Sequence, residues 1–245
     1  MLKTPAKPDP ATTALFLDVD GTLLDFREHP GDVVADHSLI DMLGHSSKAM
    51  SGALCLISGR TLDDVDRVFA PARFPTAGAH GAEIRLPDGR RADPPEVPFP
   101  ESTFKKLNAF VSANPGLGLE KKHGGASLHY RRAPQLEEPC KDQMLKMLAE
   151  VGDQFRLIAG KLVFEITPNS HDKGQAVATF MNVTPFEGRH PLYLGDDVTD
   201  EDAFRVVNEY GGVSVLVGES RSTEARYYLP SVAAVRTWLR SSFIA

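Results

Sequence analysis

Two hydrophobic rhythms divide the chain. Toward both ends, short unbroken apolar runs alternate with segments of helical period. ALFLD (14–18) and ALCLI (53–57) each end in turn residues, with a candidate helix over 38–50 between them. After the second run, Thr61 can cap a helix that reaches Phe69, with Asp64 three residues on. The rhythm returns at His171, with a helix to Met181, the run PLYLG (191–195), a helix over 199–208, the run VSVLVG (213–218) and a last helix over 231–240. Apolar runs that do not alternate, separated by helices, predict parallel strands buried on both faces.

The middle of the chain reads differently. AEIRLPDGRRAD has the pattern of a hairpin turning at Asp88-Gly89. GLGLEKKHGGASLHYRR predicts a second hairpin turning at His123-Gly124-Gly125, and FRLIAGKLVFEI a third turning at Ala159-Gly160. Helices are expected over about 101–113 and 135–151. Hairpins interleaved with helices predict an antiparallel α+β module inserted into an α/β core with a parallel, Rossmann-like sheet. The expected division is a core of residues 12–79 and 171–245 and an insert of residues 80–170. The segment MLKTPAKPDP lacks an apolar signal core and reads as a disordered lead-in.

Composition narrows the class. The 245 residues are 42% hydrophobic and 24% charged, an ordinary globular balance with room for one large domain or two small ones. The net charge of −6 argues against nucleic acid or an anionic membrane as partner. No apolar run approaches the length of a membrane span. Cys55, inside ALCLI, reads as a core residue; with Cys140 it forms no disulfide framework, which suits a reducing, cytoplasmic setting.

The candidate chemistry sits where the apolar runs end. DVDGTL follows the first run, and strand alternation would send the side chains of Asp18 and Asp20 the same way. An acidic turn after a buried strand is the plain alternative, but ligands of open α/β sheets gather at the carboxyl ends of the strands. GDDVTDED follows another run and packs five acids into seven positions, from Asp196 to Asp202. A helix cap and a favourable first turn account for two or three of them. If the two strands are neighbours, Asp196 and Asp200 converge on Asp18 and Asp20, and an all-oxygen cluster suits magnesium. Ser58-Gly59-Arg60 opens a helix, where a hydroxyl and backbone N–H groups could grip phosphate. Lys173 starts another helix, against the dipole preference, which hints at an anion; taken alone it reads as a solvated surface residue.

DVDGTL, ISGR, DKG and GDDVTDED in this order resemble the phosphatases of the haloacid dehalogenase superfamily. AHGAE (79–83), LEKKHGGASLHYR (119–131), LVFEITP (162–168) and the form GDDVTDEDAF extend the resemblance to the trehalose-6-phosphate phosphatases, over nearly the whole chain beyond the first dozen residues. HGGAS (123–127) departs from the family, which carries a more apolar sequence there.

The resemblance implies a Rossmann-like haloacid-dehalogenase core with an inserted α+β cap, and hydrolysis of trehalose 6-phosphate to trehalose and phosphate through an aspartyl-phosphate, a step of trehalose biosynthesis. Asp18 would be the nucleophile, ionised at pH 7 and needing no activating base. Asp20 would protonate the leaving oxygen and then activate water. Mg2+ would be held by Asp18, the Asp20 carbonyl and Asp196, with Asp197 and Asp200 weaker candidates in support. Ser58 and Lys173 would hold the phosphoryl group, with Gly59 beside them; Arg60 would help there or form a structural ion pair. Lys122, Arg131 and Glu165 match cap positions that bind sugar hydroxyls, although each alone reads as an exposed hairpin charge. His80, Gly81 and Glu83 would contact sugar or form a hinge, and His129 would pack or bind. The implied partner is a small sugar phosphate, with the protein working as a monomer. The other readings are a sucrose-phosphate phosphatase or similar relative, and a catalytically inactive regulatory domain.

Overall fold

The computed structural model describes residues 2–26, 33–94, 97–122, 124–160 and 162–243. In chain order the elements are β1 (Thr13–Asp18), α1 (His37–Ala49), β2 (Leu54–Ile57), α2 (Leu62–Val68), β3 (Thr76–Gly78), β4 (Glu83–Arg85), α3 (Glu101–Ala113), β5 (Gly118–Lys122), β6 (Gly125–His129), α4 (Glu137–Val151), β7 (Phe155–Gly160), β8 (Val163–Pro168), α5 (Lys173–Met181), β9 (His190–Gly195), α6 (Glu201–Glu209), β10 (Val213–Val217), β11 (Tyr227–Leu229) and α7 (Val232–Phe243). None of the described helices is long and apolar enough to cross a membrane.

The chain forms two compact units, residues 1–93 with 172–245, and residues 94–171. The first is an α/β core whose sheet runs β11-β10-β9-β1-β2-β3-β4, parallel except for β4. Every residue of β1 and β2 is buried, which is why these strands read as unbroken apolar runs. The chain leaves β1 toward β2 on one side and returns at β9 on the other. That makes the carboxyl ends of β1 and β9 a topological switch point, the usual place for a ligand in such sheets. Thr61 caps α2 as expected, its hydroxyl accepting from Asp64 N.

Two expectations change here. The core extends further than residue 79, because the 83–92 hairpin joins the large sheet: Glu83–Arg85 pairs antiparallel with Thr76–Gly78. The lead-in is tied down. Lys3 bridges to Tyr227, Tyr228 N donates to Lys3 O, and Trp238 Nε1 donates to the carbonyl of buried Pro5 at 3.1 Å. Both cysteines are buried thiols.

The second unit is an antiparallel sheet of order β5-β6-β8-β7. Helix α4 lies on β7 and β8, and α3 on β5. Leu107, Ala126, Leu128, Cys140, Met144 and Ile166 fill its core. Alternation puts the partners Glu120, Ser127 and Glu165 on the other face, together with Lys122 and His129. The third hairpin turns later than expected: Ala159 and Gly160 still pair in β7, and Leu162 takes a left-handed φ of 61°. The second hairpin turns between Lys122 and Gly125, with Gly124 at φ 72°; His123 lies outside the described residues.

Candidate active site

Three strand ends of the core supply the site. Asp18 ends β1, Ser58 follows β2, and Asp196 follows β9. Asp18 is buried, and its Oδ1 accepts from Lys173 Nζ at 2.7 Å. The lysine is not a surface residue; it is 3% exposed at the first position of α5, and its Nζ also donates to Asp200 Oδ1 at 2.6 Å. Asp200 is fully buried and accepts two further bonds, from the Tyr193 hydroxyl on Oδ1 at 2.6 Å and from Asp197 N on Oδ2 at 2.9 Å. One carboxylate oxygen from each of Asp18, Asp196 and Asp200 lies within 4.8 Å of the others.

Three carboxylates thus surround one ammonium, and the electrostatics show the imbalance. Burial opposes the charge of Lys173, but Asp18 and Asp200 outweigh it and hold the ammonium above its usual range. Burial first, and then the charges of Asp200 and Asp196 against the pull of Lys173, push Asp18 well above the carboxylate range. Burial, Asp200 and Asp197, against Lys173, push Asp196 up to about 7. The expected ready ionisation of Asp18 therefore needs more positive charge than Lys173 provides. Asp18 Oδ2 and Asp196 Oδ1 are buried and accept no hydrogen bond from the described residues. Two orphaned carboxylate oxygens in a net negative pocket are donors that fit a hard cation.

Gly21 shows how tightly this corner is built. Its φ of 89° suits glycine, and a Cβ there would run into the Asp196 carboxylate. Asp20 has a different partner. Its two oxygens are held by Arg60, Nε to Oδ2 at 2.6 Å and Nη2 to Oδ1 at 2.7 Å. Asp18 and Asp20 are thus partnered separately, one by Lys173 and the other by Arg60. The repulsion that raises Asp18 comes from Asp200 and Asp196. Arg60 has taken the ion-pair alternative, as a bidentate fork.

The Ser58-Gly59-Arg60 loop spends part of its donor set internally. Arg60 N donates to Ser58 Oγ at 3.1 Å, and Ser58 N donates to Ala77 O at 2.8 Å. The Ser58 hydroxyl hydrogen remains to be given, from a side chain 1% exposed. The turn at 79–81 is laced to this loop through Ala79 N to Arg60 O and His80 N to Ser58 O, at 2.7 and 2.9 Å. Ala79 and His80 both take left-handed φ values, 47° and 55°, a strain that ordinary turns avoid. The His80 ring lies over Gly59, where a Cβ would stand 2.6 Å from Nε2. Gly81 is buried. Glu83 turns inward, its Oε2 accepting from Leu62 N at 2.8 Å, so it anchors the start of α2.

In the second unit, Lys122 is ion-paired to Glu120, whose other oxygen meets His129 Nε2 at 3.1 Å. The hydrogen bond from His129, then that from Lys122, holds Glu120 down at about 2 in spite of partial burial. Glu165 Oε2 accepts from Ser127 Oγ at 2.7 Å. Arg131 is exposed on the turn after β6. The sequence reading missed Glu120, although its two-residue offset from Lys122 places both on one face. It also missed Tyr193, which the apolar run concealed.

A parallel core with an inserted antiparallel module is a fold shared with a Bacteroides thetaiotaomicron protein described as a phosphatase of the haloalkanoate (HAD) superfamily, at TM-score 0.65 and 16% identity over 98% of this chain and 97% of its own. The profile of the Trehalose-phosphatase family matches residues 16–233, and the chain belongs to that family. It is 43% identical over 224 residues to the "Probable trehalose-phosphate phosphatase" of Sinorhizobium fredii, covering 91% of this chain and 84% of that one. It is 40% identical over 233 residues to the trehalose-6-phosphate phosphatase of Escherichia coli, covering 94% and 86%. The C-terminal domain of the Candida albicans trehalose-6-phosphate phosphatase superposes with TM-score 0.81 at 22% identity, over 99% of this chain and 98% of that one.

Proposed function

We propose that the protein is a Mg2+-dependent phosphatase that hydrolyses trehalose 6-phosphate to trehalose and phosphate. The observation that carries the reading is the buried Lys173 clamped between Asp18 and Asp200, with the orphaned oxygens of Asp18 and Asp196 beside it. Asp18 attacks phosphorus; the bond to the sugar oxygen breaks, and Asp20 gives that oxygen a proton. Asp20 then takes a proton from water, which attacks the aspartyl-phosphate, releases phosphate and restores the Asp18 carboxylate. Lys173 and the Ser58 hydroxyl hold the phosphoryl oxygens, where charge is spread in the transition state. Mg2+, held by Asp18, Asp196 and the Asp20 carbonyl, would add Lewis-acid stabilisation of the same oxygens. Arg60 orients Asp20 instead of gripping phosphate. Glu83 and Gly81 would support the loops, and His80, whose ring lies over Gly59, would contact the substrate. Lys122, Glu165, Glu120 and Arg131 offer the sugar hydroxyls charged partners.

The same fold serves the C-terminal domain of a Candida albicans trehalose synthase regulatory protein, at TM-score 0.73 and 15% identity over 94% of each chain. Asp18, Asp20, Lys173 and Asp196 favour an enzyme over such a regulatory role. The test is phosphate release from a panel of sugar phosphates, with and without a chelator. Trehalose 6-phosphate should be turned over best, only with Mg2+, and not by Asp18→Asn. Equal or better turnover of sucrose 6-phosphate, or full activity after exhaustive chelation, would overturn the substrate or the metal.

A further inference from the structure

The position of Lys173 is set by a contest between two carboxylates, and one of them is restrained by a residue with no place in the reaction. The ammonium has three hydrogens. One goes to Asp18 and one to Asp200, which leaves the third for a phosphoryl oxygen. Asp200 Oδ1 shares its lone pairs between Lys173 and the Tyr193 hydroxyl, both at 2.6 Å. Asp200 is fixed on its other side by Asp197 N. Tyr193 is fully buried in the middle of β9, its ring edge-on to Phe204 with centroids 5.7 Å apart. Its strand neighbour on the same face, Gly195, leaves room for the carboxylate: a Cβ there would stand 2.6 Å from Asp200 Oδ2. A phenylalanine would fill position 193 equally well if packing were its whole purpose.

We propose that Tyr193 is a positioning residue, whose hydroxyl occupies Asp200 Oδ1 so that Lys173 stays poised over Asp18 and the incoming phosphoryl group. Without that donor, Asp200 Oδ1 keeps only Lys173 among its described partners and draws the ammonium away from Asp18. In water such a contest would be weak; in this buried cluster each charge-assisted hydrogen bond counts. The inference rests on the phosphatase reading of the core site, but not on the identity of the sugar.

The test compares Tyr193→Phe with Phe204→Leu in the intact protein with Mg2+. The first removes one hydroxyl and leaves Asp200 two donors, so no buried donor is orphaned. The second disturbs the packing around the same ring and spares the hydroxyl. Each is measured for kcat and KM on trehalose 6-phosphate and on an aryl phosphate, for the Kd of inorganic phosphate by calorimetry, and for Tm. Tyr193→Phe should lower kcat about tenfold on both substrates and weaken phosphate binding by a similar factor, the scale of one charge-assisted bond. Its KM for trehalose 6-phosphate should rise no more than phosphate binding weakens. Phe204→Leu should lower Tm more than Tyr193→Phe and keep kcat within about twofold. Unchanged kcat and phosphate affinity in Tyr193→Phe, or losses in the two variants that follow their Tm values, would overturn the proposal. A wild type that ignores trehalose 6-phosphate but binds phosphate refutes the substrate and leaves the phosphate comparison to decide the role of Tyr193.

Discussion

The charge imbalance around Asp196 makes the cation's effect on stability depend on pH, and the size of that dependence follows from the structure. Asp196 titrates at about 7 in the folded protein against an ordinary 3.8. Between those values the fold holds a proton that the unfolded chain releases. Its contribution to stability is therefore full below about 3.8 and lost as pH rises through about 7, so the metal-free protein weakens toward alkaline pH. Mg2+ needs the ionised carboxylate and competes with that proton. At pH 8 roughly nine-tenths of Asp196 is ionised, and at pH 5 about one-hundredth, an affinity ratio near a hundredfold. With Mg2+ at about 100 Kd at pH 8, binding adds about 2.7 kcal/mol; the same concentration at pH 5 stands near Kd and adds about 0.4 kcal/mol. For a chain of this size that is a rise in Tm of about 5–10 °C at pH 8 against about 1–2 °C at pH 5. Thermal denaturation by circular dichroism, with and without Mg2+ across pH 5 to 8, measures it directly. Asp196→Asn should flatten the curve. An equal Mg2+ shift at both ends of the range, or a wild-type shift in Asp196→Asn, would refute the reasoning.

Two further outcomes follow from the partners of Asp20 and of the hairpin charges. Asp20→Asn and Arg60→Ala should both slow turnover of trehalose 6-phosphate, by at least about tenfold for the first. In a pre-steady-state burst, release of nitrophenolate from 4-nitrophenyl phosphate, whose leaving group needs no proton, should be largely spared in both variants, while hydrolysis of the aspartyl-phosphate slows on either substrate; loss of the burst in Arg60→Ala would place Arg60 at the phosphoryl group instead. Glu165→Ala and Lys122→Ala should lower kcat/KM for trehalose 6-phosphate about ten- to hundredfold, the worth of a charged group on a hydroxyl, and spare the aryl phosphate. No loss on either substrate would make them ordinary hairpin charges.

What the sequence shows plainly is what burial imposes on it. β1, β2, β9 and β10 stand out as apolar runs because nearly every residue in them is buried, and α2 announces its start through Thr61. β3, β4 and β11 have three residues each, too few to display a period, and exist because a neighbour pairs with them. The first boundary of the insert lies later than the pattern suggests for the same reason: 83–92 has the pattern of a hairpin, and nothing local says which sheet it joins. Lys173 lies 155 residues from Asp18 and 27 from Asp200, so no window along the chain reveals that it is buried between them. Glu120, by contrast, was within reach of simple alternation from Lys122.

The acidic run after β9 shows why a dense motif need not mean a single job. Asp197 caps the turn at 198–200, Glu201 pairs with Arg221 and accepts from Glu224 N, and Asp202 pairs with Arg205. Asp200 is spent on Lys173 and Tyr193, and Asp196 alone turns a free oxygen toward Asp18. Asp197 adds to the push on Asp196, but of the five only Asp196 and Asp200 raise Asp18. Together with Asp18 they exceed Lys173 by two negative charges, and a phosphate monoester brings more. The core could not bind its substrate on those terms by backbone dipoles and one hydroxyl. A divalent cation between Asp18 and Asp196 would lower both carboxyls toward ionisation and give the phosphoryl oxygens a counter-charge. The high Asp18, the high Asp196 and the two orphaned oxygens would then be a single property, a pair of carboxyls that is charged only when a cation stands beside it.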